Sequence, residues 1–253
     1  MSNVAIGMSM YTKKERLLFK QGETTWIHHF NWITFLIMMP CHTHFKFPYF
    51  VETRCTHSNI WKGIDDNFMT THELLTLMYS TLSPHTFYLK IDPDTLIVPG
   101  NLHWFLDKYN PEYFGSHEVS TKNVQILHKT FNYAQGGVEG FSRRTLQIIV
   151  NDMCIERIGK LHCSKRYCLN KLEDVAVGAC VALNNISFTS NPCFFAWGPC
   201  NIYKPDTCAH KICNRTLSIH KLKNIEWYRL WWKFLIGSAG GGGCSIALGD
   251  CHM

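Results

Sequence analysis

The chain has 253 residues, 46% of them hydrophobic and 13% aromatic, with a formal net charge of +6. That much apolar side chain can fill the core of an α/β unit and excludes wholesale disorder. The basic residues are scattered rather than set in a stripe, so no nucleic-acid partner is expected. An anionic small-molecule donor would suit the mild positive balance.

Val4 to Met10 is an apolar run with small residues and reads as a buried first strand. Lys13 to Trp26 mixes charge with Leu17, Leu18 and Phe19 and reads as a helix ending near Gly22. Trp32 to Met39 is bulky and apolar and stops at Pro40, the pattern of a second core strand. Residues 40–60 carry His, Cys and aromatics without a period and read as loop; His28, His29, His42 and His44 are taken as loop residues rather than ligands. Asn67 to Leu82 has near-helical apolar spacing, and Thr86 to Ile91 is a strand running into Asp92. Leu96-Ile97-Val98 follows, and Asn101 to Tyr109 forms a helix. Tyr113-Phe114-Gly115 and Phe131-Asn132-Tyr133 flank a polar stretch that suits a hairpin or loop. Ser142 to Asn151 reads as a helix with Ser142 near its cap. Asp174 to Leu183 reads as another, and beyond Ser187 the pattern is short and rich in cysteine.

Strand–helix alternation in the first half predicts an α/β fold. Residues 1–236 are expected to form a single domain. The tail 237–253, with Gly240 to Gly243, is expected to be disordered. Of the twelve cysteines, most lie from Cys154 onward. Disulfides in an oxidising compartment are one reading and zinc at Cys208, His210 and Cys213 another. The sequons Asn185-Ile186-Ser187 and Asn214-Arg215-Thr216 fit a secretory compartment. No segment reads as a signal peptide, and the longest apolar run, Trp32 to Pro40, is too short to span a bilayer.

Asp92-Pro93-Asp94 closes the strand that begins at Thr86. A strand ending in Asp-x-Asp sets two carboxylates at the carboxyl edge of a sheet, where open α/β folds bind ligands. Two close carboxylates repel each other, and a hard divalent cation relieves that repulsion. Alone, such a triplet also decorates solvated turns, and Pro93 suits a turn.

Its company is more specific. Val4 to Met10, Lys14-Glu15-Arg16 leading to Thr25-Trp26, Tyr88 to Thr95, Asn101-Leu102 and Tyr113-Phe114-Gly115 come first. Tyr133-Ala134-Gln135-Gly136-Gly137, Glu173 to Gly178 and Ser218-Ile219-His220 follow in order. Over roughly residues 4–223 the chain resembles the fringe-like and core 1 β-1,3-galactosyltransferase group, glycosyltransferase family 31. Pro93 stands where the family often has Asp, the element after Gly137 is one residue shorter, and the segment after Lys223 has no counterpart.

The resemblance implies a GT-A type fold, a Rossmann-like mixed sheet flanked by helices. It implies an inverting UDP-sugar-dependent β-1,3-glycosyltransferase, most like the core 1 type that moves galactose to O-linked GalNAc of glycoproteins. A fringe-type N-acetylglucosaminyltransferase and a non-catalytic glycosyltransferase-like protein are the alternatives. Mn2+ would be held by Asp92, Asp94 and His220, with Asp94 the most direct ligand and Asp92 alternatively contacting the ribose of the nucleotide sugar or binding through water. Asp174 would be the base, against the alternative of a helix N-terminal cap, and Glu173 would orient the acceptor. Gly136 and Gly137 would admit the sugar close to backbone. Arg16 and Lys90 would contact nucleotide or phosphate, or stay surface charges. Trp197 would stack on acceptor sugar or pack in the core. The family's setting is the Golgi or ER lumen, with a membrane anchor that this chain does not display, and it admits a homodimer.

Overall fold

Strands that are apolar at nearly every position, such as Val4–Ser9, need cover on both faces, and that requirement builds the molecule. The computed structural model describes residues 3–10, 13–23, 26–27, 33–40, 51–56, 66–82, 85–119, 130–152, 154–155, 158, 173–195, 216–222, 226 and 229. In chain order these form β1 (Val4–Ser9), α1 (Lys13–Glu23), β2 (Ile33–Pro40), β3 (Val51–Thr56), α2 (Asp66–Thr81), β4 (Phe87–Ile91) and β5 (Leu96–Ile97). Then come α3 (Pro99–Tyr109), β6 (Tyr113–Val119), β7 (Asn132–Ser142), α4 (Arg143–Asn151), α5 (Glu173–Leu183), β8 (Phe188–Ser190), β9 (Phe194–Phe195) and β10 (Ser218–Ile219).

The main sheet has the order β3-β2-β1-β4-β7-β6-β8. β1 lies parallel to both β2 and β4, while β7 runs antiparallel to β4 and to β6. The sheet is therefore mixed and Rossmann-like, and helices flank it. Side chains alternate between its faces. Val4, Ile6 and Met8 of β1 join Phe35, Ile37, Phe87 and Leu89 in one core, together with Leu102, Phe105 and Leu106 of α3. Ala5, Leu36, Met38 and Tyr88 face the other core, with α2, α4 and α5. Helix α5 is buried from Asp174 to Val181, which explains its lack of a polar stripe.

The strands expected at Val4 to Met10, Trp32 to Met39 and Thr86 to Ile91, and the helices expected in the described segments, form within three residues of their predicted bounds. The stretch read as hairpin or loop instead holds a longer antiparallel pair, Tyr113–Val119 with Asn132–Ser142. The Ser142 cap is also present, since its hydroxyl accepts from the Thr145 amide at 3.2 Å. Residues 40–60 correct the reading, because Val51–Thr56 is a strand and not loop. It pairs parallel with β2 from Phe35↔Val51 to Pro40↔Thr56. Its Glu52 and Arg54 hide it from a search for apolar runs, yet charge is what an edge strand tolerates.

A second sheet is ordered β5-β10-β9, and its first strand, β5, follows the carboxyl end of β4 in the chain. β10 pairs antiparallel with β5 (Ser218↔Ile97, Ile219↔Leu96). A disulfide joins Cys154 to Cys180 of α5, and Cys193 is disulfide-bonded as well. Closing a loop of 26 residues contributes on the order of 3 kcal/mol through the unfolded chain. Among the described residues no helix is long and apolar enough to cross a membrane. Cys208, His210, Cys213, His28, His29, His42, His44 and the tail 237–253 lie outside the described residues.

Candidate metal centre

β1 and β4 are parallel neighbours, so their carboxyl ends open on the same edge of the sheet. A cleft of about 500 Å³ lies there, with Ser9 from the end of β1 and Asp92, Pro93 and Asp94 from the end of β4 on its wall. Asp92 to Thr95 is a tight turn closed by the Thr95 amide donating to the Asp92 carbonyl at 3.0 Å. The Asp92 amide in turn donates to the Gly137 carbonyl at 3.0 Å, so β7 fixes the start of the turn. Pro93, which has no amide proton to offer, occupies a turn position that needs none.

His220 reaches this turn through the second sheet. The β5–β10 ladder aligns Ile219 with Leu96, and the Leu222 amide donates to the Asp94 carbonyl at 2.9 Å. The imidazole Nε2 then lies 3.0 Å from an Asp94 carboxylate oxygen and 3.3 Å from one of Asp92. One ligand atom from each of the three residues lies within 4.8 Å of the others. Adjacent ligands of an octahedral ion with bonds of 2.0–2.1 Å stand about 2.9 Å apart, so the imidazole–carboxylate spacings fit one shared cation. Two carboxylates and one imidazole suit a divalent metal ion.

Gly137 makes room for this arrangement. A Cβ there would run into the Thr95 hydroxyl and come within 2.8 and 2.9 Å of the His220 ring carbons. Gly137→Ala should therefore shift the ring and lower Mn2+ affinity by about 10- to 100-fold, as loss of a ligand's support does. A Mn2+ titration of the folded variant checks this, and an unchanged affinity would mean that the ring does not need the space.

Charge follows the geometry. Burial opposes a proton on His220, yet the hydrogen bonds and charges of Asp92 and Asp94 raise it to about 9. Burial pushes Asp92 upward, but His220 and the Lys90 charge outweigh it and hold Asp92 below its usual range. Beneath the turn, the Lys90 ammonium is buried and donates to Glu139 at 2.7 Å and to Glu173 at 3.1 Å. Lys90 and Glu139 are direct cross-strand partners of β4 and β7. Burial works against the ammonium, and the surrounding carboxylates hold it well above its usual range. Glu139 has no solvent exposure, and desolvation raises its carboxyl. Asp174 is raised to about 6 by burial and by the Glu173 charge, with Lys90 pulling the other way.

The raised groups make a stability prediction for the metal-free protein. A group with a raised folded pKa holds its proton more tightly in the fold, so its contribution is full at low pH and lost as pH rises. Asp174 loses it between about 4 and 6, and His220 between about 6.5 and 9. Each window spans on the order of 3 kcal/mol. Melting with chelator present should show a temperature that falls from pH 6.5 to 9. His220→Asn should reduce that fall and leave the part below about pH 8 that belongs to Glu139. A level profile in the parent would remove the basis for the buried proton.

The predicted residues are thus gathered unevenly. Asp92, Asp94, His220, Lys90 and Glu173 all line the cleft. Gly137 packs under Thr95 and His220, and Gly136 precedes it in β7, neither on the cleft wall. Asp174 is behind Glu173 at the start of α5, 9% exposed, with its carboxylate accepting from the Val175 amide at 2.8 Å. Arg16 is on α1 but not on the cleft wall, where Lys14 and Glu15 stand instead. Trp197 lies outside the described residues. Thr70, Thr71 and Lys221 also line the cleft and were not foreseen. Lys221 carried a signal only in following His220, and the two threonines only in opening a helix. Glu139 could have been suspected as a lone acid in an apolar Gly-rich strand.

The chain matches no established family model.

Proposed function

We propose that the chain is a metal-dependent, inverting β-1,3-glycosyltransferase of GT-A type, similar to the fringe-like and core 1 group. It uses a UDP-sugar, with galactose going to O-linked GalNAc of a glycoprotein or glycopeptide. The observation that carries the reading is the convergence of Asp92, Asp94 and His220 at the mouth of a cleft on the carboxyl edge of the sheet. The sequence resemblance supports the same assignment. The Cys154–Cys180 disulfide suits the lumen of the Golgi or ER.

In this reading Asp94, Asp92 and His220 hold Mn2+, which supplies charge to stabilise a diphosphate leaving group. Asp94 is the most direct ligand, and Lys14 and Lys221 add positive charge on the wall. Gly137 gives its space to Thr95 and His220, and Gly136 would let the sugar approach backbone. Asp174 takes the proton of the acceptor hydroxyl as that oxygen attacks the anomeric carbon, and Glu173 orients the acceptor. A carboxyl titrating at about 6 is ionised at neutral pH yet basic enough to accept a proton. The standing of Glu173 on the cleft wall, with Asp174 behind it, favours a second assignment in which Glu173 is the base.

UDP affinity with and without Mn2+ tests the reading. The expected result is tighter UDP binding with Mn2+ and Mn2+-dependent turnover of UDP-galactose, raised by a GalNAc-threonine peptide. UDP affinity indifferent to the metal would replace the enzyme with a non-catalytic relative of the same fold.

A further inference from the structure

The sequon Asn185-Ile186-Ser187 is a motif that the metal centre does not use. It falls just past the end of α5. The Ile186 amide donates to the Val181 carbonyl at 3.1 Å and the Asn185 amide to the Ala182 carbonyl at 3.3 Å. That is the paired closure of a helix C-terminus with a left-handed residue between, and Asn185 is that residue, with φ 52°. Glycine usually fills this place, and asparagine is one of the few side chains that tolerate it. The backbone at the turn is satisfied by backbone.

The two neighbouring asparagines then part company. The Asn184 side-chain amide donates to the Cys180 carbonyl at 2.9 Å. Asn185 is exposed and makes no side-chain hydrogen bond among the described residues. Ser187, the hydroxyl position of the triplet, is exposed as well, and its Oγ donates to Glu112 at 2.8 Å. Sequons are modified on the entering chain, so the native fold must leave room for a bulky polar group afterwards. Asn185 meets that condition. Helix α5 has its first residue, Glu173, on the cleft wall, and its 11 residues carry the chain about 16 Å along the helix before the turn. A glycan at Asn185 would therefore stand clear of the cleft.

We propose that Asn185 is an N-glycosylation site, occupied whenever the chain enters a secretory lumen. The donor is a lipid-diphosphate-linked oligosaccharide. The Asn185 amide nitrogen loses a proton and forms the bond to the anomeric carbon, and the carbon–oxygen bond to the lipid diphosphate breaks with its electron pair leaving on that oxygen. Nothing is oxidised or reduced. The proposal rests on exposure, the turn and the triplet, and it stands apart from the transferase reading.

The test expresses the full chain behind a supplied secretion signal in animal cells and analyses total chain, retained and secreted alike. Peptide-N-glycosidase should lower its apparent mass and convert Asn185 to Asp in the tryptic peptide. Asn185→Asp keeps the left-handed turn without the acceptor nitrogen, and Ser187→Ala keeps the asparagine without the hydroxyl. Each should remove the modified peptide, while Ser187→Thr should retain it. An unmodified Asn185 peptide in the parent chain overturns the proposal, whatever the outcome with UDP and Mn2+.

Discussion

Asp94→Ala is expected to lower Mn2+-dependent transfer by on the order of 10³, the rate equivalent of several kcal/mol of lost charge stabilisation. The reason is local. The Asp94 carboxylate faces His220 at 3.0 Å, whereas its backbone carbonyl is held separately by the Leu222 amide at 2.9 Å. Truncating the side chain therefore removes a ligand without removing the tie between the turn and the segment after β10. In chelator the variant should melt below the parent at pH 6.5, where Asp94 helps hold the His220 proton, approach it near pH 9, and lose the stabilisation that Mn2+ gives the parent. Asp92→Asn should cost less, because its carboxylate stands farther from the imidazole, at 3.3 Å, and is 40% exposed. Turnover of a folded Asp94→Ala protein within threefold of the parent would rule out the proposed metal role.

Asp174→Asn should lower transfer by about 10² to 10⁴, the usual worth of a positioned general base, and leave Mn2+-dependent UDP binding in place. Asparagine keeps the volume and an oxygen able to accept from the Val175 amide, so the start of α5 should hold. In the parent, the base works only when ionised, so kcat/KM should rise with pH through about 6 and level off above it. Glu173→Gln separates the two assignments. If Asp174 is the base, this variant raises KM for the acceptor more than it lowers kcat. If Glu173 is the base, kcat falls with Glu173→Gln and survives in Asp174→Asn. The Glu173 charge helps hold Asp174 up, so the acidic limb of the profile should move to lower pH when that glutamate is neutralised.

Much of the frame was legible in local pattern. Val4–Ser9 and Phe87–Ile91 are short apolar runs, buried at nearly every position, because a packed core lies on each face of the sheet. Ser142 declared itself as a cap because capping is settled within three residues. Val51–Thr56 did not, since its strand identity comes from pairing with β2 and not from its own composition.

The candidate site divides along the same line. Asp92 and Asp94 are two residues apart on one turn, so any fold that forms the turn brings them together. His220 was read from the resemblance in order of motifs, but its approach to Asp94 depends on the β5–β10 ladder, which aligns Ser218 with Ile97 across the chain. The Lys90–Glu139 pair had no forerunner in the pattern, because cross-strand partners depend on register. The same holds for the choice of Cys180 as partner of Cys154 among twelve cysteines. What local sequence settles is where strands, caps and turns fall, since those energies act over a few neighbouring residues. Which carboxylate faces which cation is decided by the assembled sheet, because burial and charge act between residues that only folding makes neighbours.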